Sequence, residues 1–569
     1  MRTKPSPSLQ LFHHSFLYKL SYSALTPTLT TLFKLYSDPA TSKPIQSETM
    51  MDVWTWICEL PNSDESNSPF VFNLATSEHN PARSIQLRAE PSLHSNSVTF
   101  SVCLLGFHSD DAEVTTVWVS DECHLSSDKP FLPLVLQLLQ EVISRSPTAH
   151  DSTCPRSQLQ KLHPDRVSWM LDSHSPETFS SFFNLVLLSR LFWLCACDAP
   201  SEAGALYFHS ILAPNLEMFS SKPAPVVLRT FFVTVGTDVE LCFMRTFGYM
   251  LAKWLILREV GGVGLQSLTP QYLGISYSTE AYGLWILKGY APVRAMKCTL
   301  HRGERNPFPV IEAKESALRY ALAHHQLEAV IQFEYTVGYF DGFIQVNARL
   351  DNIRLHVARL GFNKSQDDAY VDEKHFPSRI RVWVGPEVGA SYVGGLSLGQ
   401  STNNIEKEVE THKIWKGSFG DSKVPKMKAV ARMATKTKMK NWRWDQDTEG
   451  NAVVYDATLC DNQTGIEVAT WKPDNGDDGP TAVVMNNLGR RYRGANRGFT
   501  KKGSLVIAGE ESGTGVGWRL SKEMVGSVLK WRIGGEVWLT YWPNHVNTSY
   551  YETRCVEWCD EVDLPLIPT

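Results

Sequence analysis

From about residue 327 to the C-terminus, apolar residues recur at every second position almost without a break. "EAVIQFEYTVGYF", "GFIQVNARL", "NIRLHVARL", "SRIRVWVG", "NAVVYDATLC", "GSLVIAG" and "GEVWLTYW" all carry this alternation. A period of two fits a strand with one buried face, and it does not fit a helix. The stretches between are turn-rich: "FDG", "LDN", "DTEGN" and "PDNGDDGP". Successive strands without intervening helices predict an antiparallel sandwich or barrel.

Upstream the period is different. Short β-like runs between about residues 68 and 120 ("SIQLRAE", "SVTFSVCLLGF", "VTTVWVS") give way to apolar residues at helical spacing in "PFLPLVLQLLQEVISRS" and "SPETFSSFFNLVLLSRLFWLCAC". "VVLRTFFVTV" reads as a buried strand feeding a helix from Thr237, with Asp238 as its cap and Gly261–Gly262 as its stop. The fold expected is α+β: a mixed α/β domain over 51–310, a connecting helix at 311–326, and an antiparallel β-sandwich-like domain over 327–569. Arg190 interrupts the apolar run Phe182–Cys197, and Arg245 and Lys253 interrupt Leu241–Leu257, so neither helix offers about 20 unbroken apolar residues. Both read as core helices, and no transmembrane span is expected.

Residues 1–50 stand apart. The first 49 hold 15 Ser or Thr, five basic residues and only Asp38 and Glu48 as acids. That composition fits a transit peptide, and it equally fits a disordered extension ahead of Met50 and Met51, where globular patterning begins. The 11 cysteines are scattered and odd in number, which favours a reducing compartment. The location expected is cytoplasmic, with the plastid as the alternative.

A net charge of −5 gives no global attraction to nucleic acid or to a membrane, so any electrostatic function is local. One stretch qualifies. "KMKAVARMATKTKMKNWRW" puts Lys426, Lys428, Arg432, Lys436, Lys438 and Lys440 at even positions, followed by Trp442 and Trp444. From Lys423 to Arg443 there are eight basic residues and no acidic one. The preceding strand carries Glu406, Glu408 and Glu410. A hairpin turning near residue 419 would set Glu410 opposite Lys428 and Glu406 opposite Arg432. Lys436, Lys438 and Lys440 would then extend past the acids, beside Trp442 and Trp444. Two readings stay open: a solvated sheet face with internal pairing, and an anion-binding surface made of those five residues. The partner implied is an anionic ligand or an acidic protein surface.

Other candidates have bland rivals. Asp372, Glu373 and His375 in "YVDEKHFPSR" are acid–base types, against a solvated loop. Cys555 and Cys559 would share a helix face, with no zinc-finger pair beside them. "GEESGTGVGWRLSK" lacks the ending of a P-loop and reads as a hairpin. The many tryptophans of the β half suit a sugar-binding platform or an ordinary core. No hydrolase, zinc-protease or kinase motif appears, no nucleic-acid motif is clear, and no cofactor is expected. The function expected is a non-catalytic binding or scaffold protein. The alternative is a carbohydrate-active or other enzyme with its cleft between the two domains.

"MDVWTWICELPNSDESNSPFVFNLA" and "HFPSRIRVWVGPEVGASYVGGLSLG" resemble a plant-specific family of uncharacterised proteins. The resemblance runs from Met51 to the C-terminus. It implies a plant origin and a start near Met51, and it supplies no site residues.

Overall fold

The computed structural model describes residues 52–60, 68–92, 95–107, 114–150, 162–219, 223–260, 274–293, 325–360, 375–399, 407–419, 427–439, 442–460, 467–468, 504–508, 515–541 and 552–568. The 1–50 extension and residues 311–324 of the expected connecting helix therefore lie outside the described residues, as do Asp372, Glu373, Glu406 and Lys440, while His325 and Gln326, expected to end that helix, are strand.

The chain opens with helix α1 (Val53–Cys58), started by Asp52, whose carboxylate accepts the Trp54 N–H at 3.1 Å. An antiparallel meander follows: β1 (Phe70–Thr76), β2 (Ser84–Pro91), β3 (Ser97–Leu105) and β4 (Val114–Val119), with the short β5 (Cys123–His124) also paired to β3. The helical layer comprises α2 (Leu132–Arg145), α3 (Pro164–Ser173), α4 (Pro176–Leu191), α5 (Ser201–Leu206), α6 (Pro223–Val235) and α7 (Thr237–Val260). Helix α4 runs on as a π-helical segment, Phe192–Asp198.

Two expectations change here. The "VVLRTFFVTV" run is helix α6, not a strand. Val227, Leu228, Phe231 and Phe232 are buried while Val226 and Val233 are exposed, which is a helical period hidden inside a β-branched composition. The hydroxyls of Thr230 and Thr234 donate to the carbonyls four residues back, absorbing their polar atoms within the helix. Second, Pro176–Asp198 forms 23 continuous residues, long and apolar enough to cross a membrane by length and composition. In this fold 89% of its most apolar window is buried inside the protein. Arg190 does not break it, because its guanidinium is buried against Glu141 of α2.

The β half begins at Ile275, earlier than the expected boundary near 327. Strands β6 (Ile275–Ala281) and β7 (Leu284–Val293) join β8 (His325–Tyr339), β9 (Phe343–Arg359), β11 (Val393–Ser397) and β17 (Val516–Ser521) in the order β11-β17-β9-β8-β7-β6, and β16 (Ser504–Ala508) also pairs with β9. A second antiparallel sheet runs β14 (Trp442–Glu449), β15 (Ala452–Leu459), β10 (Phe376–Pro386), β18 (Val528–Tyr541), β19 (Glu552–Pro565). The inner faces of both sheets form one apolar core around Trp285, Trp518 and Trp531. Trp518 meets Trp531 edge-on, and Trp531 lies 5.2 Å from Trp285. The fold is thus α+β with sandwich-like antiparallel sheets. A separate hairpin, β12 (Lys407–Phe419) with β13 (Met427–Met439), pairs with neither sheet among the described residues.

The outer face of the seven-stranded sheet carries the helical layer. Strand β7 alternates, so Trp285 and Leu287 enter the sandwich while Lys288 and Tyr290 point at α7. Glu240 of α7, buried, accepts from Lys288 Nζ at 2.7 Å and from the Tyr290 hydroxyl at 2.6 Å. Arg245 Nε donates to Glu328 of β8 at 2.9 Å. Helices and sheet are joined by ionic contacts as well as apolar ones.

Candidate functional site

Three elements distant in sequence converge beside that joint. The β6 edge of one sheet meets the β19 edge of the other, and the N-terminal part of α6 closes over them. Between them lies a cleft of about 530 Å³. Its polar lining includes Arg229, Lys530, Arg532, Glu557, Asp560 and Glu561, and its apolar lining includes Val226, Ile275, Leu327, Val556 and Trp558. The formal charges balance.

Polar contacts weld its floor. The Ser278 N–H donates to Asp560 Oδ2 at 2.7 Å, and the Glu561 N–H donates to Asp560 Oδ1 at 2.8 Å. Ser278 Oγ donates to the Glu561 carbonyl at 3.1 Å, and Ser276 Oγ to the Cys559 carbonyl at 3.3 Å. Arg229 Nη1 donates to the Ser278 carbonyl at 2.9 Å. Burial raises the Asp560 carboxyl above its ordinary value, and the N–H groups of Glu561 and Ser278 and the Arg229 charge act against that rise. Burial likewise raises the Cys559 thiol, opposed by Arg532. Tyr290 is raised further, by burial first and then by the Glu240 charge.

Trp558 forms one wall and reaches between the sheets. It is 8% exposed. A Cβ built on Gly289 of β7 would stand 2.7–2.8 Å from three atoms of its indole, and one built on Gly535 of β18 would stand 3.5 Å away. Only glycine at 289 lets the ring lie this close to the β7 backbone.

The strand expected to bind anions is arranged differently. In the β12–β13 ladder Glu410 stands opposite Lys436 and Glu408 opposite Lys438, while Lys428 faces Ser418 and Arg432 faces Ile414. The acids therefore stand in register with two of the three lysines that were expected to extend past them. Trp442 and Trp444 belong to β14 of the five-stranded sheet, not to the hairpin. Trp444 is 5% exposed within the sandwich core, and Trp442 packs partly against that core. Indoles on the inner face of an edge strand gain more from burial than from standing in water. Among the described residues, Lys436 and Lys438 thus belong to the hairpin while Trp442 and Trp444 belong to another sheet, and Lys440 lies outside the described residues.

His375 is not in a solvated loop. It is fully buried at the start of β10, 5.6 Å from the Tyr541 ring, and burial with the nearby Arg554 charge pushes its pKa down to about 3. Cys555 and Cys559 lie on strand β19, not on a helix. Among the described residues no group of three or more His, Cys, Asp or Glu is placed to hold a metal. The cleft residues carried no sequence motif. The only local sign was Gly289, an isolated glycine inside a strand pattern, which marks close approach of another group.

No family model matches the chain, and no curated protein matches it. Among solved structures, Clostridium perfringens delta-toxin aligns over 51% of this chain and 96% of its own, at 9% identity and a TM-score of 0.20. A structure described as a pore forming protein aligns over 51% and 94%, at 11% identity and a TM-score of 0.19. The Clostridium perfringens NetB toxin in its membrane inserted form aligns over 51% and 95%, at 10% identity and a TM-score of 0.16. Similarity at that level carries no argument about what this chain does.

Proposed function

We propose that this chain is a non-catalytic binding or scaffold protein, and that the cleft between α6, β6 and β19 is its ligand site. The observation that carries the reading is the state of Asp560. It is the cleft carboxyl with a raised pKa, and both of its oxygens already accept backbone N–H groups. A carboxyl tied by both oxygens to the backbone of two strands holds the walls in place, which is the work of a structural group rather than of a mobile proton carrier.

The remaining carboxylates support the same reading. Glu557 and Glu561 lie on one strand, four residues apart. At about 3.3 Å per residue their backbones are roughly 13 Å apart. Glycoside hydrolysis sets its two carboxyl groups about 5–9.5 Å apart. Cys559 is held as a thiol, which is a weak nucleophile. The ligand favoured is a small molecule with an apolar body against Val226 and Trp558 and an anionic group toward Arg229 and Arg532.

The test is a thermal-shift panel of small carboxylates, phosphate esters and saccharides on the full chain, repeated on Val226→Trp. Val226 stands exposed at the mouth, so the indole blocks entry without disturbing the core. A compound that raises the melting temperature of the parent and not of the variant supports the site. A panel in which nothing stabilises the parent, or in which the variant responds equally, overturns it. Release of product from any panel compound would establish the enzymatic alternative instead.

A further inference from the structure

Half of the large apolar side chains that stand exposed among the described residues, seven of fourteen, lie at one end of the β-sandwich. The strand registers fix this. The β6–β7 turn at Tyr282–Gly283 lies alongside β8, and the β8–β9 turn at 340–342 projects beyond it. Ser521, the last residue of β17, pairs with Phe343, the first of β9, so the 522–527 turn leaves at the same end. Val393 pairs with Leu520 and Val528 with Pro565, which adds the 387–392 loop and the residues after β19.

Each of these segments presents apolar surface. Tyr282 is fully exposed on the first turn. Tyr339 and Phe340 stand on the second, with Phe340 54% exposed and stacked on Phe343 at 5.0 Å. Val388 is 84% exposed on the third. Val525, Val528 and Ile567 complete the set. The segments brace one another. Lys522 Nζ donates to the Asp341 carbonyl at 2.8 Å, the Gly526 N–H to the Leu566 carbonyl at 2.7 Å, and the Tyr335 N–H to the Gly283 carbonyl at 2.8 Å.

A second observation singles out the first turn. Tyr282 is the one non-glycine residue with positive φ among the described residues, at 53°, followed by Gly283 at 77°. Two consecutive positive φ values belong to a tight hairpin turn in which asparagine commonly precedes the glycine. A bulky aromatic there is strained and, fully exposed, gains no burial in return. The folded chain alone gives no reason for it.

We infer that this end of the sandwich docks on an electrically neutral, phosphatidylcholine-type bilayer surface, into which the apolar turns insert. The tips are separate convex turns flanked by polar residues. A bilayer admits such projections singly, whereas a protein partner would need a matching pocket for each. Their charge selects the lipid. Glu280, Asp341, Glu387 and Glu523 are exposed at this end against two cations, Lys522 and Arg519, and the Arg519 guanidinium is already seated over the Phe343 ring. Anionic headgroups are repelled by such a rim, and the choline ammonium is attracted to it and to the tyrosine and phenylalanine rings.

The experiment is co-sedimentation of the full chain with phosphatidylcholine vesicles, and with the same vesicles containing phosphatidylserine. The variants are Tyr282→Asn, which suits the turn and relieves its strain, and Tyr282→Asn with Phe340→Ser. The parent is expected to bind phosphatidylcholine vesicles and to bind less as phosphatidylserine is added. Tyr282→Asn is expected to fold at least as stably and to bind less. The double variant is expected to bind at least about tenfold less, from two lost aromatic anchors. A parent that ignores phosphatidylcholine vesicles overturns the inference and makes the rim a protein-docking surface. Binding that grows with phosphatidylserine, or a double variant that binds like the parent, overturns it as well.

Discussion

Gly289→Ala tests how the cleft wall is built. The added methyl would stand 2.7–2.8 Å from the Trp558 indole, where ordinary contact is 3.4–4 Å, so the ring must move by about 0.7 Å. It has little room to move, because it is nearly buried and β18 lies behind it at Gly535. Overpacking of this kind costs about 1–3 kcal/mol. Replacing a strand glycine by alanine returns about 0.5–1 kcal/mol by restricting the unfolded chain. The net expectation is a loss of roughly 0.5–2 kcal/mol. Trp558→Ala alone should cost about 3–5 kcal/mol. With the indole gone the three atoms nearest the methyl are removed, so Gly289→Ala in the Trp558→Ala background should be neutral or stabilising by up to about 1 kcal/mol. The pair should therefore be non-additive by about 1–3 kcal/mol. Urea unfolding of the parent, both single variants and the double variant measures this. If Gly289→Ala costs the same with and without Trp558, the ring does not lie against that backbone and the account of the wall is refuted.

Glu240→Leu should destabilise by about 3 kcal/mol, the low end for a broken buried pair because Lys288 keeps 20% exposure. Adding Lys288→Met should recover most of that loss in the same unfolding assay. His375 has a folded pKa of about 3 against an ordinary 6.5, so the unfolded chain binds a proton there that the folded chain refuses. Its contribution is present above about pH 6.5 and is lost as pH falls toward 3, by roughly 1.4 kcal/mol per pH unit within that window. His375→Phe should flatten this part of the stability profile, measured by unfolding at stepped pH. The ladder position of Glu410 opposite Lys436 predicts a double-mutant coupling of about 0.2–1 kcal/mol that shrinks with added salt, and none between Glu410 and Lys428.

Alternation in the sequence was enough to identify the strands, because each strand's inner residues must enter the core wherever its partners lie. Strands β8, β9, β15 and β18 follow that pattern closely. Alternation is blind, however, to any even shift of register. Moving Glu410 from Lys428 to Lys436 is a shift of eight residues, and every side chain keeps its parity while every charge changes its partner. Parity also failed to show that the chain leaves the hairpin after β13 and enters another sheet with Trp442 and Trp444 turned into the core. In α6 the β-branched composition pointed to a strand, and packing of Val227, Leu228, Phe231 and Phe232 on one helical face overrode it. Tertiary structure alone placed Arg229, Gly289 and Asp560 around one cleft, and gathered Tyr282, Phe340, Val388 and Val525 at one end. These residues are joined by no local preference, and only the pairing of strands hundreds of residues apart decides which turns become neighbours.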